Sequence, residues 1–486
     1  MAIEGIVNHY AENATNYRIL SDAQCEKIIE SAFTILENIG MDIEEPTSRE
    51  LLAKHGCTVD GENVRIPRKV VIDAINSAPG HIDLYDRNGK HVMDVGGTNI
   101  YFGSGPTNPF VNDFETGERR QALVQDTVDA TRVMDALPNI DFVMNLAAPS
   151  DCPVEINDLY TLRAMLENTT KPLVILARNL ETMKEQFEMI TSVVGGWDNY
   201  RAKPFVASLC GDPITPLGMD NDAIEKLMYC AENSIPVTCP SGVQLGTTGP
   251  VTIAGALALG LAENFVCLVV TQIVNPGAPY MGCLGVCTVD MKATTMCYGS
   301  PEHCLGETSS ADIYRYLGLP CFGTAAASEA KVVDEQLAIE STFFIYNNVL
   351  NGGQMTHDVG FMDSALTTHL DALTMEDEII SYARRIKQGF EIDDETLALD
   401  VIEEVGPKGE FLTHDHTAEN FREVWYPTLL DRRIYPQWAT EKKDMRTRVH
   451  EKTAKILDEH QPEALPADVV AKLDAVIDEA NKRVEK

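Results

Sequence analysis

Apolar positions recur at three- and four-residue steps from Ser21 onward. Ile28, Ile29, Ala32, Ile35 and Leu36 share one face of a 3.6-residue period, which predicts a helix opened by Ser21 and stopped at Gly40. Residues 65–78 show a second helical pattern with Pro67 near its start, and the next stretch, HIDLYDRNGKHVMDV, reads as a hairpin turning at Asn88-Gly89. From residue 98 the pattern changes. Short, almost continuously apolar runs fall at 98–104, 142–148, 172–177, 204–209, 235–239, 278–284, 319–324 and 352–359, separated by helical stretches. Successive starts from 142 lie 30, 32, 31, 43, 41 and 33 residues apart, room for one crossover helix each, and near-continuous apolarity suits strands buried on both faces. Eight such units predict an α/β fold, a (β/α)8 TIM barrel over residues 98–375, with an open doubly wound sheet of the same strand count as the alternative. Residues 1–97 then form a helical N-terminal extension with a small β element, and residues 376–486, charged and helical, a C-terminal extension packed on the barrel.

Composition narrows the function. The chain has 486 residues, 44% of them hydrophobic and 23% charged, with 74 Asp and Glu against 39 Lys and Arg for a net charge of −35. A field of that sign repels phosphate backbones and anionic lipid, which sets aside nucleic acid and membrane as partners and leaves room for a small cation. The longest apolar stretch, Val251 to Val274, carries Glu263, Asn264 and Gln272, so it predicts a helix inside a soluble fold. The first twenty residues lack a basic segment followed by an apolar one, which points to the cytoplasm. Twelve cysteines without a C-x-x-C pair read as reduced and mostly packed thiols.

In a barrel the chemistry sits where the strands end. The residues there are Tyr101, Phe102 and Ser104; Asn145; Arg178; Asp212; Ser241 and Gln244; Tyr280 and Cys283; Phe322 and Thr324; and His357 with Asp358. His357 and Asp358 are the candidate catalytic pair. Paired glycines such as Gly352-Gly353 mark either a close approach to the backbone or tight packing on the preceding helix. Residues 285–310 read as a long irregular loop, a lid or binding surface carrying Tyr298, Glu302 and Glu307. Cys283, Cys287, His303 and Cys304 are zinc-ligand types and raise a metal alternative.

The segments SGVQLGTTGPVTIAGALALGLAENFVCLVVTQIVNPGAPYMG (241–282), SEAKVVDEQLAIE (328–340) and NGGQMTHDVGFMDSALTTHLDALTMEDEII (351–380) together resemble the trimethylamine methyltransferase family. The resemblance runs nearly end to end, from ILSDAQCEKIIESAFTILENIGM to THDHTAENFREVWYPTLLDRRIYPQW. It implies a (β/α)8 barrel that passes a methyl group from a methylated amine to the Co(I) of a separate corrinoid protein, with no cofactor or metal held tightly by this chain. The founding members contain pyrrolysine, whereas every position here is a standard residue. The resemblance is therefore to the branch acting on quaternary amines such as glycine betaine, proline betaine or carnitine. A quaternary ammonium expels a neutral amine without a general acid, so the protein has to position it rather than protonate it.

Such a cation needs electron-rich walls. Tyr101, Phe102, Tyr280, Tyr298, Phe322 and Phe361 are the aromatic candidates, and a betaine carboxylate would find partners in Gln244, His357 and the backbone near Gly352-Gly353, which match the family's double-glycine motif. The implied partners are a cognate corrinoid protein and a further copy of the chain. The rival readings are a zinc-dependent methyltransferase on the same barrel and a non-catalytic quaternary-amine binding protein.

Overall fold

The computed structural model describes residues 17–485; the N-terminal stretch read above for a targeting signal lies mostly outside them. Helix α1 (Asp22–Asn38) opens the described chain, and α2 (Arg68–Ser77) follows it after a shorter helix, Pro46–Lys54. The Ser21 N–H donates to Gln24 Oε1 at 2.9 Å, and Gly40 takes φ +80°, so both predicted ends of α1 hold. The hairpin forms as β1 (Ile82–Tyr85) and β2 (His91–Val95), with Gly89 at φ +80° in its turn.

Next come β3 (Tyr101–Ser104), α3 (Val124–Ala136), α4 (Asn157–Asn168), β4 (Leu173–Leu176), α5 (Leu180–Val194), β5 (Val206–Leu209) and α6 (Asn221–Glu232). The chain continues through β6 (Val237–Thr238), β7 (Ser241–Gln244), α7 (Ile253–Val274), β8 (Tyr280–Met281), β9 (Leu284–Asp290), β10 (Thr295–Cys297) and α8 (Pro301–Leu317). It closes with β11 (Phe322–Thr324), α9 (Glu335–Asn351), β12 (Met355–Val359), α10 (Leu370–Gln388), α11 (Met445–Glu459) and α12 (Ala467–Val484).

The fold is mixed α/β. Parallel ladders join β4 to β5, β5 to β6 and β6 to β8, and again β11 to β12 and β12 to β3. Single parallel bridges, Gly103 to Phe142, Val143 to Leu173 and Gly282 to Cys321, connect these two groups. The order of pairings thus passes through eight segments and returns to β3, with three joints made by isolated bridges instead of continuous ladders. A helix follows each of the eight. Phe142, Val174, Met281, Phe322 and Met355 meet on the inside, where Leu84, Met93 and Val95 of the hairpin join them. The hairpin therefore closes the amino ends of the strands and leaves their carboxyl ends for chemistry.

Helix α7 explains the longest apolar run. It is long and apolar enough to cross a membrane, yet it is buried between strands on one side and α1, α2 and α6 on the other. Phe33 of α1 stacks on Phe265 at 5.6 Å. Its polar residues are satisfied in place: Asn264 Nδ2 donates to the Cys239 and Cys283 carbonyls at 2.7 and 3.0 Å, and Glu263 accepts from Thr215 Oγ1 and the Leu217 N–H.

Residues 285–310 are not an irregular loop. They form the β9–β10 hairpin and the first turns of α8, which Ser300 opens by accepting the His303 N–H at 3.2 Å with Pro301 in the first turn. The first turns read as loop because their buried face carries Gly306, Glu307, Ser309 and Ser310, the large apolar Ile313 and Tyr314 coming only later in the helix. A hydrophobic period cannot register such a face.

Candidate active site

Strand β12 supplies the centre. Successive side chains of a regular strand point to opposite faces, but the register against β3 shifts between Thr356 and Val359, and Asp358 takes φ +79°. The irregularity turns two neighbouring side chains to one side, so that His357 Nδ1 is hydrogen-bonded to Asp358 Oδ1. A carboxylate only accepts, which puts the imidazole proton on Nδ1. The His357 ring lies 4.7 Å from the ring of Phe322 on β11. Gly105 is needed beside them, since a Cβ there would run into Asp358 Oδ1 and the Phe361 ring. Behind the pair, Glu376 of α10 accepts the Gly360 N–H and the Ser341 hydroxyl, both at 2.6 Å, and fixes the turn that follows Asp358.

Glu307 enters from α8. Its Oε2 accepts the Thr324 N–H at 3.0 Å, while the buried Oε1 has no partner. A glycine makes room for it in the strand layer: a Cβ at Gly323 would stand 2.9 Å from Oε2. Burial pushes the Glu307 carboxyl up to about 8, with the charge of Asp358 adding to the rise, so it is a neutral acid at pH 7. Asp212 follows the end of β5. It keeps an accessible face but is crowded by protein, as on the wall of a recess, and this desolvation lifts it to about 6 against the pull of His357 and Lys226. Tyr298 stands in the same neighbourhood, edge-on to His303 at 5.2 Å, and burial, with Asp358, Asp212 and Glu307 nearby, pushes its phenol well up. None of these three carboxyl groups forms an ion pair with Lys or Arg among the described residues, although Asp358 touches His357.

His357, Asp358 and Tyr298 therefore come together at the carboxyl ends of the strands, with Phe361 beside Asp358 and the buried Phe322, the first residue of β11, against the His357 ring from within. Gln244 lies on the rim, where its Nε2 approaches Met296 Sδ of β10 at 3.7 Å and its Oε1 accepts the Thr247 hydroxyl. Five other candidates go elsewhere. Tyr101 is at the closed end, its hydroxyl accepting the Asp94 N–H of the hairpin at 3.0 Å. Phe102 is buried beneath the Arg384 guanidinium, 5.6 Å from its ring centre. Tyr280 is buried against α7, donating to Asn264 Oδ1 at 2.9 Å. Gly352 caps α9 at φ +78°, where a Cβ would meet the Thr98 carbonyl at 2.9 Å, and a Cβ on Gly353 would meet Asn348 Oδ1 at 2.8 Å. Both glycines precede β12 and sit at the end opposite His357, about 13 Å away along an extended strand. The close approach they permit is to protein.

Cys283, Cys287, His303 and Cys304 do not assemble a ligand set. Both ring nitrogens of His303 are engaged, Nδ1 with the Val286 carbonyl at 2.8 Å and Nε2 with Thr324 Oγ1 at 3.0 Å. No group of three or more metal-ligating side chains converges among the described residues. Sequence reasoning kept Asp212 and Glu307 only as two strand-end or loop acids among several. The readable signal for Glu307 was the strand glycine, Gly323, that makes space for it.

The family model for trimethylamine methyltransferase (MTTB) matches residues 2–485. The chain is 33% identical to the glycine betaine methyltransferase of Desulfitobacterium hafniense strain Y51, covering 96% of this chain and 98% of that protein. It is 30% identical to the trimethylamine methyltransferase MttB of Desulfitobacterium hafniense strain DSM 10664 / DCB-2, covering 94% and 93%. The crystal structure of the hydroxylamine MtmB complex superimposes with a TM-score of 0.50 at 14% identity, over 90% of this chain and 86% of that one.

Proposed function

The chain belongs to the trimethylamine methyltransferase family and is a methyltransferase, and from that premise we propose that it moves a methyl group from a quaternary amine to the Co(I) of a separate corrinoid protein. We take the eight parallel segments to be a (β/α)8 barrel with its substrate at the carboxyl ends of the strands, in a cytoplasmic enzyme. The observation that carries the reading is the grouping of Asp212 and Asp358, without a Lys or Arg ion pair, near the ring of Tyr298, with Phe322 against the ring of His357. Negative charge and aromatic faces suit a cation that has no N–H to donate. All residues are standard, so nothing in the chain converts a tertiary amine into a four-valent one as pyrrolysine would.

In the transfer the Co(I) electron pair forms the Co–C bond in line with the breaking C–N bond. The nitrogen keeps the bonding pair and leaves as a neutral dimethylated amine, so no proton is needed. The positive charge on nitrogen fades as this happens, and carboxylates that hold the ground-state cation too firmly would slow the step. A neutral Glu307 adds no charge of its own to that hold at pH 7. The remaining task of the chain is orientation, with the methyl carbon facing outward to the partner.

The test is incubation with Co(I) cobalamin or a cognate corrinoid protein and a panel of glycine betaine, proline betaine, carnitine and trimethylamine, followed by methylcobalamin absorbance. A quaternary amine should react and trimethylamine should lag well behind. Equal turnover of trimethylamine would sink the quaternary reading, and binding without methylation of cobalt would leave a binding protein in its place.

A further inference from the structure

Quaternary amines fall into two classes, those that carry a carboxylate, as glycine betaine does, and those that do not, as tetramethylammonium. The recess gives a carboxylate no place. Asp212 and Asp358 would repel it, His357 is bound through Nδ1 to Asp358, Gln244 is engaged on the rim, and Gly352 and Gly353 precede β12 at its far end. On the neighbouring strand ends the character of the wall changes. A cavity of about 350 Å³ opens between the end of residues 142–148 and the end of β4, lined by Thr107, Asn145, Asn157, Leu176 and Arg178.

Two side chains in this wall hold donors with no acceptor. Asn145 is only 7% exposed, yet neither atom of its amide is hydrogen-bonded among the described residues. An amide buried without a partner is costly, so it points to a ligand that supplies one. Arg178 follows β4, and its Nε donates to the Val154 carbonyl at 2.8 Å, which steadies the guanidinium. Its two Nη groups meet no carboxylate among the described residues, in a chain where 74 acids face 39 bases. Asp158, the acid in the same wall, is turned to backbone, accepting the Arg178 N–H at 2.9 Å and the Leu159 N–H at 3.1 Å. An amide and a planar fork of free N–H groups suit a carboxylate.

The cavity also lies beside the acids of the recess. The β4–β5 ladder ends on the pair Leu176 and Leu209, so Arg178 and Asp212 leave adjacent strands, spaced by about 4.8 Å, at the same end. Lys226 Nζ spans the two exits: it donates to the Ala177 carbonyl at 3.0 Å and would stand 3.7 Å from a Cβ on Gly211.

We propose that Asn145 and Arg178 form a carboxylate subsite, holding the acid end of a betaine whose ammonium group lies by Asp212 and Asp358. The inference rests on the quaternary-amine reading above and adds a second point of attachment, which fixes the direction in which the methyl carbon faces. Calorimetric titration of the full chain, without a corrinoid protein, compares glycine betaine with tetramethylammonium. The wild type should prefer glycine betaine at least about tenfold. Arg178→Gln, at an exposed position, should cut that preference at least about tenfold, and Arg178→Lys, which keeps the charge but not the fork, should recover part of it. Asn145→Asp, nearly isosteric, exchanges the amide donor for a repelling carboxylate and should cut it as far, with thermal unfolding of all three variants close to wild type. A wild type that binds the two cations equally, or a preference that both Arg178→Gln and Asn145→Asp leave intact, would overturn the subsite while the quaternary-amine reading stands. A wild type that binds neither would overturn both.

Discussion

At the scale of single residues, the site turns on carboxyl groups whose surroundings set their charge. Asp212→Asn and Asp358→Asn each remove a negative charge from the walls of the recess without changing shape. Each should raise KM for a quaternary amine at least about fivefold, roughly 1 kcal/mol, with kcat less affected and thermal unfolding close to wild type. Steady-state methyl transfer at varied amine concentration checks this, and an unchanged KM would remove that residue from the cation's surroundings. Glu307 behaves differently. Held up to about 8 against the usual 4.5, its carboxyl binds a proton in the folded chain and not in the unfolded one between those values. Its contribution to stability is full below about 4.5 and declines toward pH 8 by roughly 1.4 kcal/mol per unit. Glu307→Gln keeps the neutral shape, so the stability gap between variant and wild type should move in the variant's favour as denaturant titrations go from pH 5.5 to 7.5. A gap constant with pH would mean that Glu307 is ionised in the fold.

At the scale of elements, the two ends of the strands have separate duties, and substitutions should sort by end. Tyr101→Phe takes the acceptor from the Asp94 N–H at the hairpin, and Gly353→Ala presses a methyl group on Asn348 where α9 passes into β12. Both should lower stability, by about 1 kcal/mol for Tyr101→Phe and by about 1–3 kcal/mol for Gly353→Ala, while KM stays put. Denaturation paired with kinetics decides it, since a raised KM at native-like stability would bring Gly353 back to the substrate. The positions of the strands were legible from their apolar runs because both faces are buried. The first turns of helix α8 were not, because an inner face of Gly306, Glu307 and two serines has no apolar stripe before Ile313 and Tyr314. Nor does a strand sequence announce a bulge: the turn of Asp358 to φ +79° is what brings it to the side of His357.

At the scale of the whole molecule, a net charge of −35 spread over one chain acts against compactness through self-repulsion. Raising ionic strength to about 0.15 M shortens the screening length to ~8 Å, and the melting temperature should climb by a few degrees from its low-salt value. Differential scanning calorimetry over a sodium chloride series tests this; a melting temperature that falls with salt would show that local ion pairs outweigh the repulsion.

The sequence by itself determined the eight apolar strand segments and the helical stretches between them outside residues 285–310, the hairpin, the burial of Ile253–Val274 and the family, because each rests on local periodicity or on long contiguous segments. It also placed His357 and Asp358 near a strand end, which follows from counting along one strand. Which aromatic side chains meet the recess was decided only by the tertiary structure. Tyr101, Phe102 and Tyr280 lie in strands as Phe322 does, but the direction of each side chain depends on pairing register and on what the neighbouring helix offers: Asp94, Arg384 and Asn264 took those three away. Glu307 reached the recess for the same kind of reason, through a gap left by Gly323, 16 positions after it in the chain. Such gaps exist only once the strands lie side by side.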